Sequence, residues 1–418
     1  MITEKTASTF KYALGPGLIL AAAAIGVSHL VQSTRAGADY GFSLIWAVVL
    51  ANLLKYPFLE YGPRYANATG QSLIAGYKVL GNWAIGIFGI FTVGTMFAIQ
   101  AAVTIVTAGL AVELTGVELS PVIWSAILLA LCIAVLFRGQ YSSLDSIIKV
   151  VMVVLAASTI IAFVVALTET PPATLPAAPD IWDVAGITFL IALMGWMPIP
   201  IDAAAWHSLW SLERTRQTKH TPSMKESLLD FNIGYIGAAI LALLFLALGA
   251  LVMYGSGIAF ATSGSVFANQ LVAIYTNTLG EWTYWIIIIC AFTTMFSTTL
   301  TVTDSYPRVC REILNVAKGE KFQASGILSY KGLLILISVI SLLVLYITGS
   351  QFTFIIDLAT SLSFLTAPVL AFINYRLVMD NHFPEEHRPP FWLRILSWGG
   401  IIFLFLFSLL FFYWRFFF

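Results

Sequence analysis

The sequence predicts an all-α integral membrane protein with about eleven transmembrane helices. Of its 418 residues, 59% are hydrophobic and only 10% are charged, and the mean hydropathy is +0.89. A soluble domain carries roughly 25% charged residues because its surface must face water. The formal net charge of +0 argues against a nucleic-acid partner, since nucleic-acid binding favours a basic excess. The expected partner is therefore the lipid bilayer, and the expected location is the cell membrane.

Eleven stretches are apolar and long enough to be candidate spans. A helix needs about 20 apolar residues to cross the hydrocarbon core. The first stretch follows a short polar segment and has no small-residue cleavage site, so we interpret it as a span rather than a signal peptide. The expected spans lie near residues 15–38, 42–62, 83–112, 121–137, 146–168, 183–209, 228–253, 282–306, 330–348, 352–377 and 392–414.

Basic residues occur in every second loop between these stretches. Segments 113–120, 169–182 and 254–281 contain carboxylates but no Lys or Arg, whereas the intervening loops contain the basic side chains. Lys and Arg gather on the cytoplasmic side of membrane proteins. The pattern therefore predicts a cytoplasmic N-terminus, and the odd number of spans places Phe418 outside.

Two of the spans contain residues that interrupt a regular helix. The first contains Gly26-Val27-Ser28-His29 at mid-depth, and the sixth contains Pro198 and Pro200, which remove two amide donors. Transporters place their substrates at such interruptions in corresponding spans of two repeats. We expect one transmembrane domain, residues 1–418, with inverted repeats near 12–168 and 183–378 and an additional helix at 392–414. The alternative is a pair of simple kinks.

Ionisable residues inside a membrane usually face a cavity or a partner. His29 and Asp202 lie at the two interruptions, which makes them the strongest candidates for the substrate site. Arg35 either lines an outer vestibule or extends to the headgroups beside Asp39.

Other ionisable residues have structural interpretations. Lys55, Glu60 and Arg64 suggest an ion-pair set at the inner end of the second span, and Asp304 and Asp357 suggest helix capping or interfacial pairing. The cysteines Cys132, Cys290 and Cys310 are far apart and are expected to be buried apolar residues.

The sequence contains no motif for nucleotide hydrolysis or catalysis. We find no Walker-type loop, no HExxH and no CxxC. The protein is therefore expected not to be an enzyme and to need no cofactor. Its energy source would be an ion gradient or the gradient of the substrate itself.

Short segments spread along the chain resemble motifs of one transporter family. They are Gly15-Pro16-Gly17, residues 36–41 (Ala-Gly-Ala-Asp-Tyr-Gly), residues 66–70 (Ala-Asn-Ala-Thr-Gly), Met197-Pro198, His207-Ser208, and residues 296–301 (Phe-Ser-Thr-Thr-Leu-Thr). Their order and spacing resemble the Nramp family of proton-coupled divalent-metal transporters. The likeness covers nearly the whole chain, and it implies the leucine-transporter fold with unwound helices 1 and 6.

The likeness fails at the positions that bind metal in that family. The family has Asp-Pro-Gly-Asn in helix one, where this chain has Gly26 in place of the ligand Asp and His29 in place of the ligand Asn. The methionine ligand of helix six corresponds to Met197, although counting back from His207-Ser208 favours Ile199 or Pro200.

Groups tied to proton transport in the family also differ. A later Asp of helix one is Ser33 here, and the acidic pair of helix three is absent, with Gln100 the nearest polar residue. These changes lower the negative charge of the expected pocket, while Arg35 adds positive charge nearby. Half-helix dipoles would then favour an anion or a zwitterion.

The resemblance and its departures select a set of candidate residues. The substrate-binding candidates are Gly26, Ser28, His29, Met197, Pro198 and Asp202. His29, Asp202 and Met197 are the candidate metal ligands, since imidazole and carboxylate suit manganese, iron or zinc. The coupling and pathway candidates are Arg35, Gln100 and His207.

Three functions remain open at this point. The first is a divergent transporter, with or without proton linkage, that takes a divalent cation as its substrate. The second is a transporter of an anion or a small organic or zwitterionic solute on the same fold. The third is a sensor or scaffold that binds without net transport. A monomer or a loose oligomer is expected.

The loop pattern makes a testable prediction about topology. Cysteines introduced near residues 172 and 260 should react with a membrane-impermeant thiol reagent added to intact cells, because both positions fall in segments without Lys or Arg. A cysteine near residue 218 should react only after permeabilisation, and the unsubstituted protein measures the background. Labelling at 218 in intact cells would overturn this topology.

Overall fold

The structure, a computed structural model, describes residues 15–138, 141–168, 179–257, 260–319 and 325–417. These residues form helices joined by short turns, and no strand occurs among them. The α-helices are α1 (Pro16–Ala24), α2 (Thr34–Tyr40), α3 (Ile45–Thr69), α4 (Leu73–Leu80), α5 (Asn82–Thr115), α6 (Pro121–Phe137), α7 (Tyr141–Ala166), α8 (Val184–Gly195), α9 (Ala203–Thr218), α10 (Met224–Leu248), α11 (Gly264–Leu279), α12 (Tyr284–Lys318), α13 (Tyr330–Ile347), α14 (Phe352–Val378) and α15 (Phe391–Phe417).

The expected spans coincide with helices, which confirms the all-α fold class. Within the described ranges, seven helical segments are long and apolar enough to cross a membrane. Shorter apolar helices, Pro121–Phe137, Met152–Ala166 and Val184–Gly195, occur at the expected fourth, fifth and sixth spans. Helix α3 covers the second span and carries the charged residues expected there. The three cysteines are buried, as expected.

Two helices were not among the expected spans. Helix α4 is only eight residues long, and α11 lies within the segment 254–281 that had been assigned to a loop. Hydropathy does not predict either helix, because both are shorter than the apolar run of about 20 residues that marks a membrane span. Several span helices also continue past their expected ends, as α12 does to Lys318, because a helix does not have to stop where polar residues begin.

The long helices α5 and α12 pack against each other through the middle of the molecule. Polar side chains connect them: Gln100 Nε2 donates to Thr303 Oγ1 at 3.0 Å, and the Thr107 and Thr299 hydroxyls are 2.7 Å apart. On either side, α1 packs on α10, α9 packs on α3, and α8 packs on α14. The interrupted helices are therefore enclosed by continuous ones.

The first and sixth spans are interrupted where the sequence predicted. Helix α1 ends at Ala24, and after Gly26 the chain continues as a π-helix, Val27–Ser33, which leads into α2. We call residues 25–26 the first break. Helix α8 ends at Gly195 and α9 begins at Ala203, with a cis peptide bond between Met197 and Pro198. We call residues 196–202 the second break.

The start of α1 is fixed to α10 by a carboxylate and by a close backbone contact. Asp230 accepts hydrogen bonds from the amides of Gly15 at 3.0 Å and Gly17 at 2.6 Å, so it satisfies donors that the first turn of a helix leaves free. A Cβ atom at Gly234 would lie 2.0 Å from the Gly17 carbonyl oxygen. The two helices touch so closely that only glycine fits at this position.

This contact predicts opposite effects for two glycines of α10. Gly234→Ala should lower the melting temperature of the purified protein strongly, because the overlap with Gly17 costs at least the ~1–3 kcal/mol of an overpacked core. Gly237→Ala is the matched control, since a Cβ there meets open space. Alanine is favoured over glycine within a helix by about 1 kcal/mol, so this variant should melt at the same or a higher temperature. Equal melting temperatures for the two variants would contradict the close packing.

Candidate functional site

A small closed cavity lies where the two breaks face each other. Its volume is about 20 Å³, which is room for about one water molecule. Its walls come from α1, the π-helix, α5, the second break, α9 and α12. The lining residues are Ala23, Ala24, Val27, Ser28, Ile99, Val103, Trp196, Pro198, Ile199, Pro200, Trp206, Thr298 and Val302. We call this space the central cavity.

Ser28 is the polar residue that connects the two breaks across the central cavity. Its Oγ lies 2.7 Å from the Ala24 carbonyl oxygen and 3.2 Å from the Pro198 carbonyl oxygen. The interruption of α1 leaves the Ala24 carbonyl without a regular helical partner, and a polar group without a partner is costly inside a membrane. Ser28 and Pro198, both predicted to bind substrate, therefore lie together on the cavity wall.

His29 points away from the central cavity and joins the π-helix to α10. It is fully buried, with Nε2 2.9 Å from the Ala238 carbonyl oxygen and Nδ1 2.7 Å from Ser28 Oγ. A carbonyl oxygen only accepts, so Nε2 carries the hydrogen and donates it. In the neutral ring, Nδ1 is an acceptor, so it competes with the Ala24 and Pro198 carbonyls for the single hydrogen of the Ser28 hydroxyl. His29 thus touches the cavity wall only through Ser28.

Gly26 and Met197 are also close to the cavity without lining it. A Cβ atom at Gly26 would lie 3.0 Å from the side chain of Thr298, so the absence of a side chain allows α12 to approach the first break. Met197 is fully buried, and its sulfur lies 4.0 Å from Ser33 Oγ. The structure therefore does not bring the Met197 thioether, His29 and Asp202 together on one cavity wall.

Two side chains satisfy carbonyl groups at the ends of the broken helices. Lys55 of α3 is fully buried and donates from Nζ to the Gly195 carbonyl oxygen at 2.6 Å, at the C-terminus of α8. Thr298 of α12 donates to the Ala22 carbonyl oxygen at 3.1 Å. Lys55 was expected to join Glu60 and Arg64, but those two residues pair with each other, with Arg64 Nε 2.8 Å from Glu60 Oε2.

Asp202 begins α9 and lies in a second cavity, separate from the central one. This cavity is lined by Phe91, Thr92, Thr95, Asp202, Ser363, Thr366 and Leu370. Gln100 and His207 occupy other positions. Gln100 joins α5 to α12, while the His207 ring is buried against Phe231 with a centroid distance of 5.7 Å. Neither nitrogen of His207 has a hydrogen-bond partner among the described residues.

Arg35 forms a polar connection between the first span and the tenth, where Gln32 Nε2 also donates to Asp357 Oδ1 at 2.9 Å. Arg35 Nη1 donates to both carboxylate oxygens of Asp357, at 3.1 and 2.9 Å, and its guanidinium lies 4.6 Å from the centre of the Phe189 ring. A weaker contact joins Arg35 to Asp39 at 3.5 Å. The side chain meets Asp39, as expected, but is held mainly by Asp357 of α14, and its position toward a vestibule or the headgroups stays a prediction. We call Arg35 and Asp357 the closing pair.

The geometry of the central cavity offers little to a metal ion. Across the described part of the chain, no group of three or more His, Cys, Asp or Glu side chains could hold a metal. The sequence interpretation missed Thr298 and the indoles of Trp196 and Trp206, which form much of the wall. The run of hydroxyl residues from Ser297 to Thr299 was the available signal for α12, whereas nothing local marked the tryptophans.

The closing pair makes a prediction about access to the central cavity. Asp357→Asn removes the ion pair between α2 and α14, so a cysteine placed at Val27 should react faster with a soluble thiol reagent than it does without that substitution. Asp39→Asn is the matched control, because it removes only the weaker carboxylate contact to the same Arg35. Equal labelling rates in all three backgrounds would show that the closing pair does not control access.

The chain was compared with protein families and with solved structures. The family model described as Natural resistance-associated macrophage protein-like (Nramp) matches residues 17–414. An uncharacterised protein of Pasteurella multocida is 36% identical over 416 residues, covering 98% of this chain and 94% of the relative. A divalent metal cation transporter MntH of Chromohalobacter salexigens is 39% identical over 59 residues, 14% of each chain.

The solved structures agree with this assignment at the level of the fold. A mutant manganese transporter of Eremococcus coleocola superimposes with a TM-score of 0.75 at 14% identity, covering 97% of this chain and 87% of that one. One conclusion follows from the interrupted first and sixth spans, the enclosing helices and the family match over nearly the whole chain. This membrane protein has the leucine-transporter fold and belongs to the Nramp family.

Proposed function

We propose that this protein is a secondary transporter that carries a small organic solute through the central cavity, in place of a divalent metal ion. The observation that supports this substrate class is the composition of the cavity wall. Its thirteen lining residues include no ionisable side chain and no thioether. The polar side-chain groups that they provide are the hydroxyls of Ser28 and Thr298 and the Trp206 indole N–H, because the Trp196 indole N–H donates to Ser363 instead.

A divalent cation is poorly matched to such a wall. Hard cations are bound by several carboxylate or carbonyl oxygens, and softer transition metals by imidazole or sulfur. Removing a charged ion from water without compensating ligands is very costly. Gly26 lacks the carboxylate that the family uses, and the neighbouring His29 is engaged with Ala238.

The same wall suits a solute with an apolar body and a small polar group. Trp196 and Trp206 provide flat apolar surfaces, and the two hydroxyls and the irregular backbone at the breaks provide hydrogen-bonding groups. The closed cavity admits only a water-sized occupant, so binding requires the half-helices to move apart. Alternating access would supply this motion. The closing pair would break when the cavity opens to one side of the membrane, and the cavity would open in turn to the side on which the N-terminus is expected.

Divalent-cation transport is the second candidate, and family membership favours it. The relatives include a divalent metal cation transporter and a manganese transporter. On this alternative, His29, Asp202 and Met197 would have to converge in another conformation to bind the ion, and a proton gradient could drive its transport. Weak metal binding compared with other family members would follow from the loss of the carboxylate at Gly26.

Uptake into proteoliposomes distinguishes the two candidates. We expect no Mn²⁺ uptake above that of empty liposomes, because the cavity lacks charged ligands. A panel of amino acids, nucleobases and small amides should include a compound that raises the melting temperature of the purified protein and is taken up. Trp206→Ala should reduce that uptake at least tenfold. Trp210→Ala is the control, since Trp210 neighbours Trp206 but does not line the cavity.

The opposite result would favour the metal. Mn²⁺ uptake that is lost in both His29→Ala and Asp202→Ala, with no response to the organic panel, would replace the first proposal by the second. Mn²⁺ uptake that survives both substitutions would mean that the metal passes elsewhere.

A further inference from the structure

The second cavity is small, polar and closed, and the transport pathway described above does not use it. Its volume is about 10 Å³, which is close to the space needed by one water molecule or one small ion. It lies between α5, the start of α9 and α14. Four of its seven lining residues carry hydroxyl groups, and a fifth, Asp202, carries a carboxylate.

The hydroxyl groups present oxygen acceptors to this cavity. The hydroxyls of Thr92 and Thr95 donate to carbonyl oxygens of α5 at 2.8 and 2.9 Å, and those of Ser363 and Thr366 donate to carbonyl oxygens of α14 at 2.9 and 3.1 Å. A hydroxyl has one hydrogen to donate. Each group has therefore used its hydrogen on its own helix, and only lone pairs remain. Ser363 also accepts from the Trp196 indole at 2.8 Å.

The Asp202 carboxylate is buried and incompletely satisfied. The residue is 9% exposed, and its Oδ2 atom has no hydrogen-bond partner among the described residues. The amides of Asp202 and Ala203 at the start of α9 interact with the carboxylate, which suits a negative charge at a helix N-terminus. The Tyr306 hydroxyl of α12 interacts with this carboxylate, and a carboxylate inside a membrane is stabilised further by a positively charged partner.

The titratable groups that face Asp202 come from three neighbouring helices. Lys55 of α3 interacts with it electrostatically but gives its hydrogen bond to the Gly195 carbonyl. Tyr77 of α4 and Tyr306 of α12 also face the carboxylate, while α5 and α14 contribute hydroxyls. A single carboxylate compensates one positive charge, and Lys55 adds positive charge nearby, so the cavity suits a monovalent cation better than a divalent one.

We propose that the second cavity is a site for Na⁺. The ion would be bound by oxygen atoms of the Asp202 carboxylate and of the surrounding hydroxyls. Because Asp202 starts the half-helix α9, the occupant would control the angle at which α9 leaves the second break. Only this coupling role depends on the proposed transport function, since binding of the cation does not.

Thermal melting of the purified protein in detergent tests cation binding without knowledge of the solute. A ligand that binds only the folded state raises the melting temperature. The wild-type protein should melt several degrees higher in NaCl than in choline chloride of equal ionic strength. Asp202→Asn should abolish this difference.

Two further variants test the ligand set and control for charge removal. Thr95→Val keeps the shape of the side chain and removes a hydroxyl ligand. It should raise the Na⁺ concentration needed for half the effect about tenfold. Asp304→Asn is the matched control, because Asp304 already pairs with Arg308 at 2.7 Å, and it should retain the wild-type response.

The possible results separate this proposal from the transport proposal. It is overturned if the melting temperature of the wild-type protein does not respond to Na⁺, or if Asp202→Asn responds as the wild-type protein does. If Asp202→Asn does not fold, a Na⁺ response that is weakened in Thr95→Val supports the site, and one that is unchanged in Thr95→Val overturns it. None of these outcomes depends on whether Mn²⁺ or an organic solute is transported.

Discussion

Inside a bilayer, every polar backbone group must find a partner within the protein, and the two broken helices meet this requirement through side chains of their own span and of other spans. Ser28 reaches the carbonyls of Ala24 and Pro198, Thr298 reaches that of Ala22, and Lys55 reaches that of Gly195. The same contacts fix the two breaks against each other. The central cavity is therefore a consequence of how the broken backbone is satisfied.

The placement of charge follows from the same constraint. Helix ends at the breaks attract charges of opposite sign, and the protein has Lys55 at the C-terminus of α8 and Asp202 at the N-terminus of α9. Neither of these residues lines the central cavity, so its wall remains uncharged. Substitution of Gly26 for the family's Asp thus removes the ligand charge without creating another at the same place. Charged side chains in this protein stabilise the breaks, and one of them, Asp202, lines the second cavity.

The sequence was a good guide to the fold and a partial guide to the site. Hydropathy, loop charges and the two prolines predicted the spans and the breaks because each depends on local composition. Ser28 and Pro198 were found in the same way, since they belong to the breaks themselves. The side-chain directions of His29 and Asp202 depend on which distant helix packs behind each break. Contacts such as His29 with Ala238, more than 200 positions away, leave no local pattern.

The separation of the two cavities has a mechanical consequence. The central cavity is bounded by both breaks, whereas the second cavity touches the sixth span only through Asp202 and is otherwise formed by α5 and α14. Helix α14 also carries Asp357, whose partner Arg35 lies in the first span. A change of occupant at Asp202 therefore acts on the helix that holds the closing pair. Trp196 connects the two regions directly, because its ring lines the central cavity while its indole nitrogen donates to Ser363 of the second.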